Sequence, residues 1–90
     1  MSRIIEAVEI NTSVKTENGD VYLVYTHSPF RESNGTQHNY YMNCQSLYGS
    51  FMFSRIFVAD ADGAIKQHYE MCNNLEEYIA KELADGDATL

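Results

Sequence analysis

The side chains able to do chemistry here are His27, His38 and His68, Cys44 and Cys72, and a set of carboxylates crowded towards one end of the sequence. Three histidines and two cysteines supply enough donors for a zinc ion. No pair of them has finger-like spacing, and a structural zinc site needs four closely organised ligands. Cys44 with His68 is the one conceivable nucleophile–base pair. Neither sits in a local context such as a nucleophile elbow, and isolated cysteines are more often small core residues. Asp60-Ala61-Asp62-Gly63 resembles part of a calcium loop. With Gly63 at the sixth position, however, the first and twelfth positions fall on Val58 and Tyr69, which offer no carboxylate. Tyr48-Gly49-Ser50-Phe51-Met52-Phe53 is aromatic-rich but lacks the basic start of an RNA-recognition strand, and no glycine-rich phosphate loop is present. The sequence therefore leads to the expectation of no catalytic residue, no metal and no cofactor, and of a protein that is not an enzyme.

The carboxylates remain. Net charge is −7, and residues 60–90 hold eight acidic groups against Lys66 and Lys81, which leaves −6 in that segment. Phosphate binding needs clustered Lys and Arg, so direct contact with nucleic acid or an anionic membrane is disfavoured and a basic partner is favoured. Glu76 and Glu77 suit the start of a helix, where the dipole favours negative charge. Glu82 and Asp85 lie near the opposite end, where it does not, so solubility or a partner must account for them. One use of such a surface is to imitate the phosphates of nucleic acid and occupy a basic groove, as some acidic inhibitors of phages and mobile elements do. By that class-level analogy the expected contact residues are Glu76, Glu77, Glu82 and Asp85. Phe30 and Arg31 join them as an anchor pair in a long loop.

The elements that must position these residues are legible in part. Asn18-Gly19, between runs of apolar alternation, predicts a two-residue type I′ hairpin. That register sets Val14 against Leu23 and Thr12 against Tyr25, and gathers Ile10, Val14, Val21, Leu23 and Tyr25 on one side. Residues 28–38 read as a loop broken by Pro29 and Asn34-Gly35. Residues 39–53 fit two periods: Tyr40, Tyr41, Cys44, Leu47, Tyr48 and Phe51 recur at helical spacing, and Tyr40, Met42 and Cys44 alternate as in a strand. Asn39, Asn43 and Gly49 are poor helix formers and tip the reading to a strand at 39–45 and a turn at 46–50, with Phe51–Ala59 as another strand. Asp62-Gly63 then predicts a second hairpin into a strand over Ala64–Cys72, with Arg55 opposite Glu70 and Ile56 opposite Tyr69. Asn73 or Asn74 is a suitable N-cap for a final helix carrying the stripe Leu75, Tyr78, Ile79 and Leu83, which Gly86 can end. The expectation is one α+β domain over residues 1–86. It has an antiparallel sheet of four to five strands built from two hairpins, one C-terminal amphipathic helix on one face, and a frayed tail at 87–90.

Composition bounds the rest. Hydrophobic residues make up 44%, with seven Tyr and no Trp, enough for a thin core in a domain of this size. The first residues, with a charge at Glu6 and no apolar core, lead to the expectation of no signal peptide, and with no membrane-length apolar run in the sequence a cytoplasmic setting with reduced thiols is expected. The functional expectation is a small acidic binding module, monomeric or homodimeric, that inhibits a larger protein with a basic nucleic-acid-binding surface. Two alternatives stand beside it. One is a structural or self-assembling subunit that uses a sheet edge or an aromatic face, and the other is a minor enzyme or small-ligand-binding domain with a pocket between the 28–38 loop and the sheet.

Overall fold

The first hairpin sets the architecture through a single glycine. In the computed structural model, which describes residues 9–28 and 38–86, strand β1 (Glu9–Lys15) turns back into β2 (Val21–His27). Gly19 N–H donates to Thr16 O at 3.0 Å, and Thr16 N–H donates to Asp20 O at 2.9 Å. Gly19 has φ +93°, whereas no described non-glycine residue has positive φ. Asn18 therefore does not adopt the type I′ conformation. The connection is a three-residue loop closed by a glycine bulge. The added residue moves the register by one. Val14 pairs with Tyr22 and Thr12 with Val24, not with Leu23 and Tyr25 as the two-residue turn predicted. A one-residue slip exchanges the two faces of a strand. Tyr22, Val24 and Thr26 consequently face inward with Ile10 and Val14, while Leu23 and Tyr25 face outward.

The sheet continues as a meander. Strand β3 (His38–Ser46) pairs antiparallel with β2, and β4 (Met52–Ala59) with β3, giving the order β1-β2-β3-β4. The two strands β3 and β4 agree with the lean of the sequence reading to strands at 39–45 and 51–59. The predicted hairpin at Asp62-Gly63 does not form. Residues Ala61–Asn73 are a helix, α1, so the expected strand over 64–72 and its cross-strand pairs Arg55–Glu70 and Ile56–Tyr69 are absent. The reason is local. The Asp60 side chain accepts a hydrogen bond from Gly63 N–H at 2.7 Å and acts as N-cap. A β-carbon on Gly63 would lie 2.9 Å from that Asp60 oxygen, so the glycine serves close approach to the cap and not a turn. Ala64, His68, Met71 and Leu75, buried at helical spacing, then draw the segment onto the sheet.

A second helix, α2 (Leu75–Asp85), follows after Asn74 and ends at Gly86 in the left-handed conformation, close to the predicted span. Asn74 does stand at its N-cap, but its side chain makes no cap bond there. Its amide instead donates to Glu70 O at 3.0 Å, closing the end of α1. Two helices thus cover the sheet where one was expected. Val24, Met42, Cys44, Phe51, Phe53, Met71 and Leu75 form the main core cluster. Tyr40, Ala59 and Ala64 form a second cluster, with Phe57 stacked on Tyr40 at 5.7 Å between ring centroids. The expected loop residues 29–37 and tail 87–90 lie outside the described residues.

Replacing Gly19 by Ala tests the bulge. Nothing lies within 4 Å of the added carbon, so the cost arises from positive φ alone, about 1 kcal/mol. Urea unfolding of Gly19→Ala should show that loss with an unchanged m-value. A neutral result would mean that the register is held elsewhere.

Candidate functional site

Helix α1 places His68 against the two strands that the bulge brings into register. Its Nδ1 lies 2.7 Å from Thr26 Oγ1 and its Nε2 lies 2.7 Å from Thr12 Oγ1. A neutral imidazole satisfies both, since one N–H donates to a hydroxyl and the other nitrogen accepts from a hydroxyl. The side chain is fully buried, and burial lowers its pKa. His68 is therefore a clamp across β1, β2 and α1. Neither of its nitrogens remains for Cys44. That thiol is itself buried and pushed up to about 12, chiefly by burial, so at neutral pH it carries no nucleophilic thiolate. Burial also raises Cys72, with a hydrogen bond to Thr12 opposing. His38 is buried at the start of β3, and His27 lies on the opposite side of the sheet from His68. Among the described residues no three of His, Cys, Asp and Glu come together as a metal site would require.

The predicted contact carboxylates do not form one surface. By the 3.6-residue turn, Glu76, Glu77, Asp85 and Glu82 leave the α2 axis at about 100°, 200°, 280° and 340° from Leu75. Glu76 turns towards the first hairpin and accepts a hydrogen bond from Glu17 N–H at 2.8 Å. Glu76 and Asp20 both act on the Tyr22 hydroxyl, whose pKa is raised first by burial and then by these carboxylates. An open groove of about 340 Å³ runs alongside, lined in part by the end of edge strand β1 at Val14 and Lys15, whose side chain alternates to the other side of the sheet, and by Glu17, Glu76 and Glu77. Glu17 and Asp20 were missed in the sequence because they lie 50 or more residues from α2 and no local pattern links them to it. Phe30 and Arg31 lie outside the described residues, as does the loop beside which a ligand pocket was expected.

The feature with the most organised side chains is the sheet surface that the helices leave bare. Here Tyr25 and His27 stack at 4.7 Å between centroids, and His27 meets Tyr41 edge-on at 5.6 Å. The Tyr25 hydroxyl donates to Glu9 Oε1 at 2.8 Å. That bond raises the tyrosine pKa and keeps the donor proton in place. The Tyr41 hydroxyl donates to Ser54 Oγ at 2.9 Å, and Asn43 Nδ2 donates to the same oxygen at 3.0 Å. Beside them Ile56 is 71% and Val58 is 61% exposed. Rings fixed by such a network bind with little further loss of rotamer freedom. The sequence held the signal for this surface in Leu23, Tyr25 and Tyr41, but the two-residue-turn register had set the first two on the same side as Ile10 and Val14.

Comparisons with protein-family models, with curated proteins and with solved structures find no match. The functional reading therefore rests on the charges and surfaces described above.

Two outcomes check the buried groups. An unfolded chain protonates its histidine below about pH 6.5, whereas folded His68 takes up the proton only at lower pH. Its contribution to stability is thus complete above pH 6.5 and is lost progressively as pH falls from that value to the lower pKa of the folded state. His68→Asn should flatten the stability–pH profile between pH 7 and 5, and an identical slope in both proteins would refute the clamp. Native protein at pH 8 should also leave Cys44 unmodified by a maleimide until denaturant is added. Labelling at the rate of a free thiol would show that the site is open.

Proposed function

We propose that this protein is a small non-enzymatic binding module that captures a larger protein through the latter's basic, nucleic-acid-binding surface, and inhibits it by occupying that surface. The supporting observation is how charge is divided between the two sides of the sheet. Of the acidic residues in the described segments, only Glu9 projects from the bare sheet surface. Glu17, Asp20, Asp60, Asp62, Glu70, Glu76, Glu77, Glu82 and Asp85 all lie on turns and helices. Against these nine stand Arg55, Lys66 and Lys81, with Lys15 at the sheet margin. The side of the molecule that carries the helices thus presents carboxylates in several directions around α1 and α2. That arrangement suits a concave basic groove that surrounds the helices better than it suits a flat surface. Complementary potential of this kind raises association rates and suppresses acidic competitors.

The functional reading makes no use of the thiols or the buried histidine, and it needs no cofactor. Glu76 belongs to the fold as well as to the surface, because it holds the Glu17 amide. Charge reversal is therefore best placed at exposed positions without such a bond. The variant Glu70→Lys/Glu77→Lys/Asp85→Lys should bind the captured partner at least about tenfold more weakly, since exposed charge pairs are worth up to about 1 kcal/mol each. Duplex DNA or RNA should displace the wild-type protein, and the association rate should fall as salt rises. Undiminished capture by the triple variant, or capture indifferent to nucleic acid, would sink the proposal.

A further inference from the structure

We infer that the bare sheet surface is the site of a symmetric homodimer, with the surfaces of two copies packed face to face. This surface lies on the opposite side of the sheet from the acidic helices, so the dimer is independent of capture by that acidic side. Antiparallel sheets often leave one side to water, but they then alternate apolar-in with polar-out. This outward side breaks that pattern on β2 and β4. Val21, Leu23, Tyr25 and His27 project from β2 and Met52, Ile56 and Val58 from β4, while β3 between them adds Tyr41 among Asn39, Asn43 and Gln45. No charged residue projects outward from β2, β3 or β4 in these ranges. A basic partner finds nothing to pair with there, and a phosphate backbone finds no cation.

What distinguishes a second copy from any other apolar partner is the placement of two charges. Among the described residues, Glu9 and Lys15 are the charged ones on this surface, and they occupy opposite ends of the same edge strand, β1. A two-fold axis lying between the sheets, crossing β1 at Thr12 and β2 at Val24, reverses β1 upon its symmetry mate. Glu9 of each copy then faces Lys15 of the other, and Tyr25 of each faces Leu23 of the other. A closed, isologous contact requires this self-complementarity. The same axis directs the acidic helices of both copies away from one another, so the bulk of the net charge of −7 on each chain is held apart. Four strands of about seven residues span roughly 19 by 23 Å by strand spacing and rise. With side-chain relief, two such surfaces lie near the lower limit for a specific interface, about 1,000 Å² in total. The dimer is accordingly a reversible one, assembling at micromolar concentration.

Sedimentation velocity from about 1 to 300 µM, a range chosen to bracket micromolar Kd, reads the assembly directly. The expected result is a shift from one chain to two across that range. Leu23→Lys, whose position is central and outward, should hold the protein monomeric while circular dichroism shows an intact fold. Glu9→Lys and Lys15→Glu should each weaken the dimer about fivefold, in line with exposed ion pairs. Combining them should restore most of the affinity, because the pairs re-form with reversed sign. A monomer throughout overturns the inference. So does a dimer that survives Leu23→Lys, or a double variant weaker than both singles, which remains decisive even if Leu23→Lys fails to fold. None of these outcomes bears on capture of a basic partner by the opposite side.

Discussion

One constraint governs this molecule: the glycine bulge that follows Glu17-Asn18 decides which side of each strand meets the helices. Gly19 at φ +93° adds one residue to the first turn. Each later strand takes its register from the one before it, so the choice propagates from β2 through β3 to β4. It puts Val24, Met42, Cys44 and Phe53 under α1 and α2. The same choice turns Tyr25, His27 and Tyr41 outward. The opposite register would have buried Leu23 and Tyr25 and exposed Val24 and Thr26, and Thr26 would then be unable to reach His68. Core, clamp and bare surface are three results of a single backbone conformation.

Sequence reasoning recovered the elements better than their geometry. The strand over 51–59, the first hairpin as an object and the final helix were readable because their apolar spacing and turn residues agree. The strand over 39–45 was reached only through residue preferences, because the apolar residues of 39–53 fit helical spacing as well. The first register was not, because Asn-Gly serves both a two-residue turn and a type I turn closed by a bulge. The apolar pattern is ambiguous as well, since Tyr22 and Val24 are as hydrophobic as Leu23 and Tyr25. The second hairpin failed for a different reason. Asp60-x-x-Gly63 satisfies a helix cap as readily as a turn, and Ile65 and Tyr69 allow an alternating reading of a segment whose buried residues, Ala64, His68 and Met71, repeat at helical intervals. Two of those three are Ala and His, which carry little weight in an apolar pattern. Of the candidate surface, the acidic bias was plain from composition. Its spread around α2 and the meeting of Glu17 with Glu76 are tertiary facts with no local signature.

Buried polarity here serves assembly of the fold rather than chemistry. Thr12, Thr26 and His68 place three polar side chains between sheet and helix, each satisfied by the others. An apolar trio would fill the same space without fixing the azimuth of α1, whereas the imidazole accepts one orientation only. This gives α1 a defined rotation over β1 and β2. From α1 the constraint passes to α2 through Asn74, whose side chain closes one helix while its backbone carbonyl begins the next.

The order of elements along the chain also has a consequence during synthesis. All four strands precede both helices, and each strand pairs with its sequence neighbour, so the meander can close as soon as β4 leaves the ribosome. The side of the sheet that α1 and α2 will cover is then bare until some 25 further residues have been added. At roughly 5–20 residues per second that interval lasts on the order of one to five seconds. For that time the nascent sheet exposes apolar surface on both sides, and among the described residues no further strand pairs along β1 or β4. Its survival depends on the speed with which the Asp60 cap starts α1, which gives the residue that ends the sheet a kinetic role as well as a structural one.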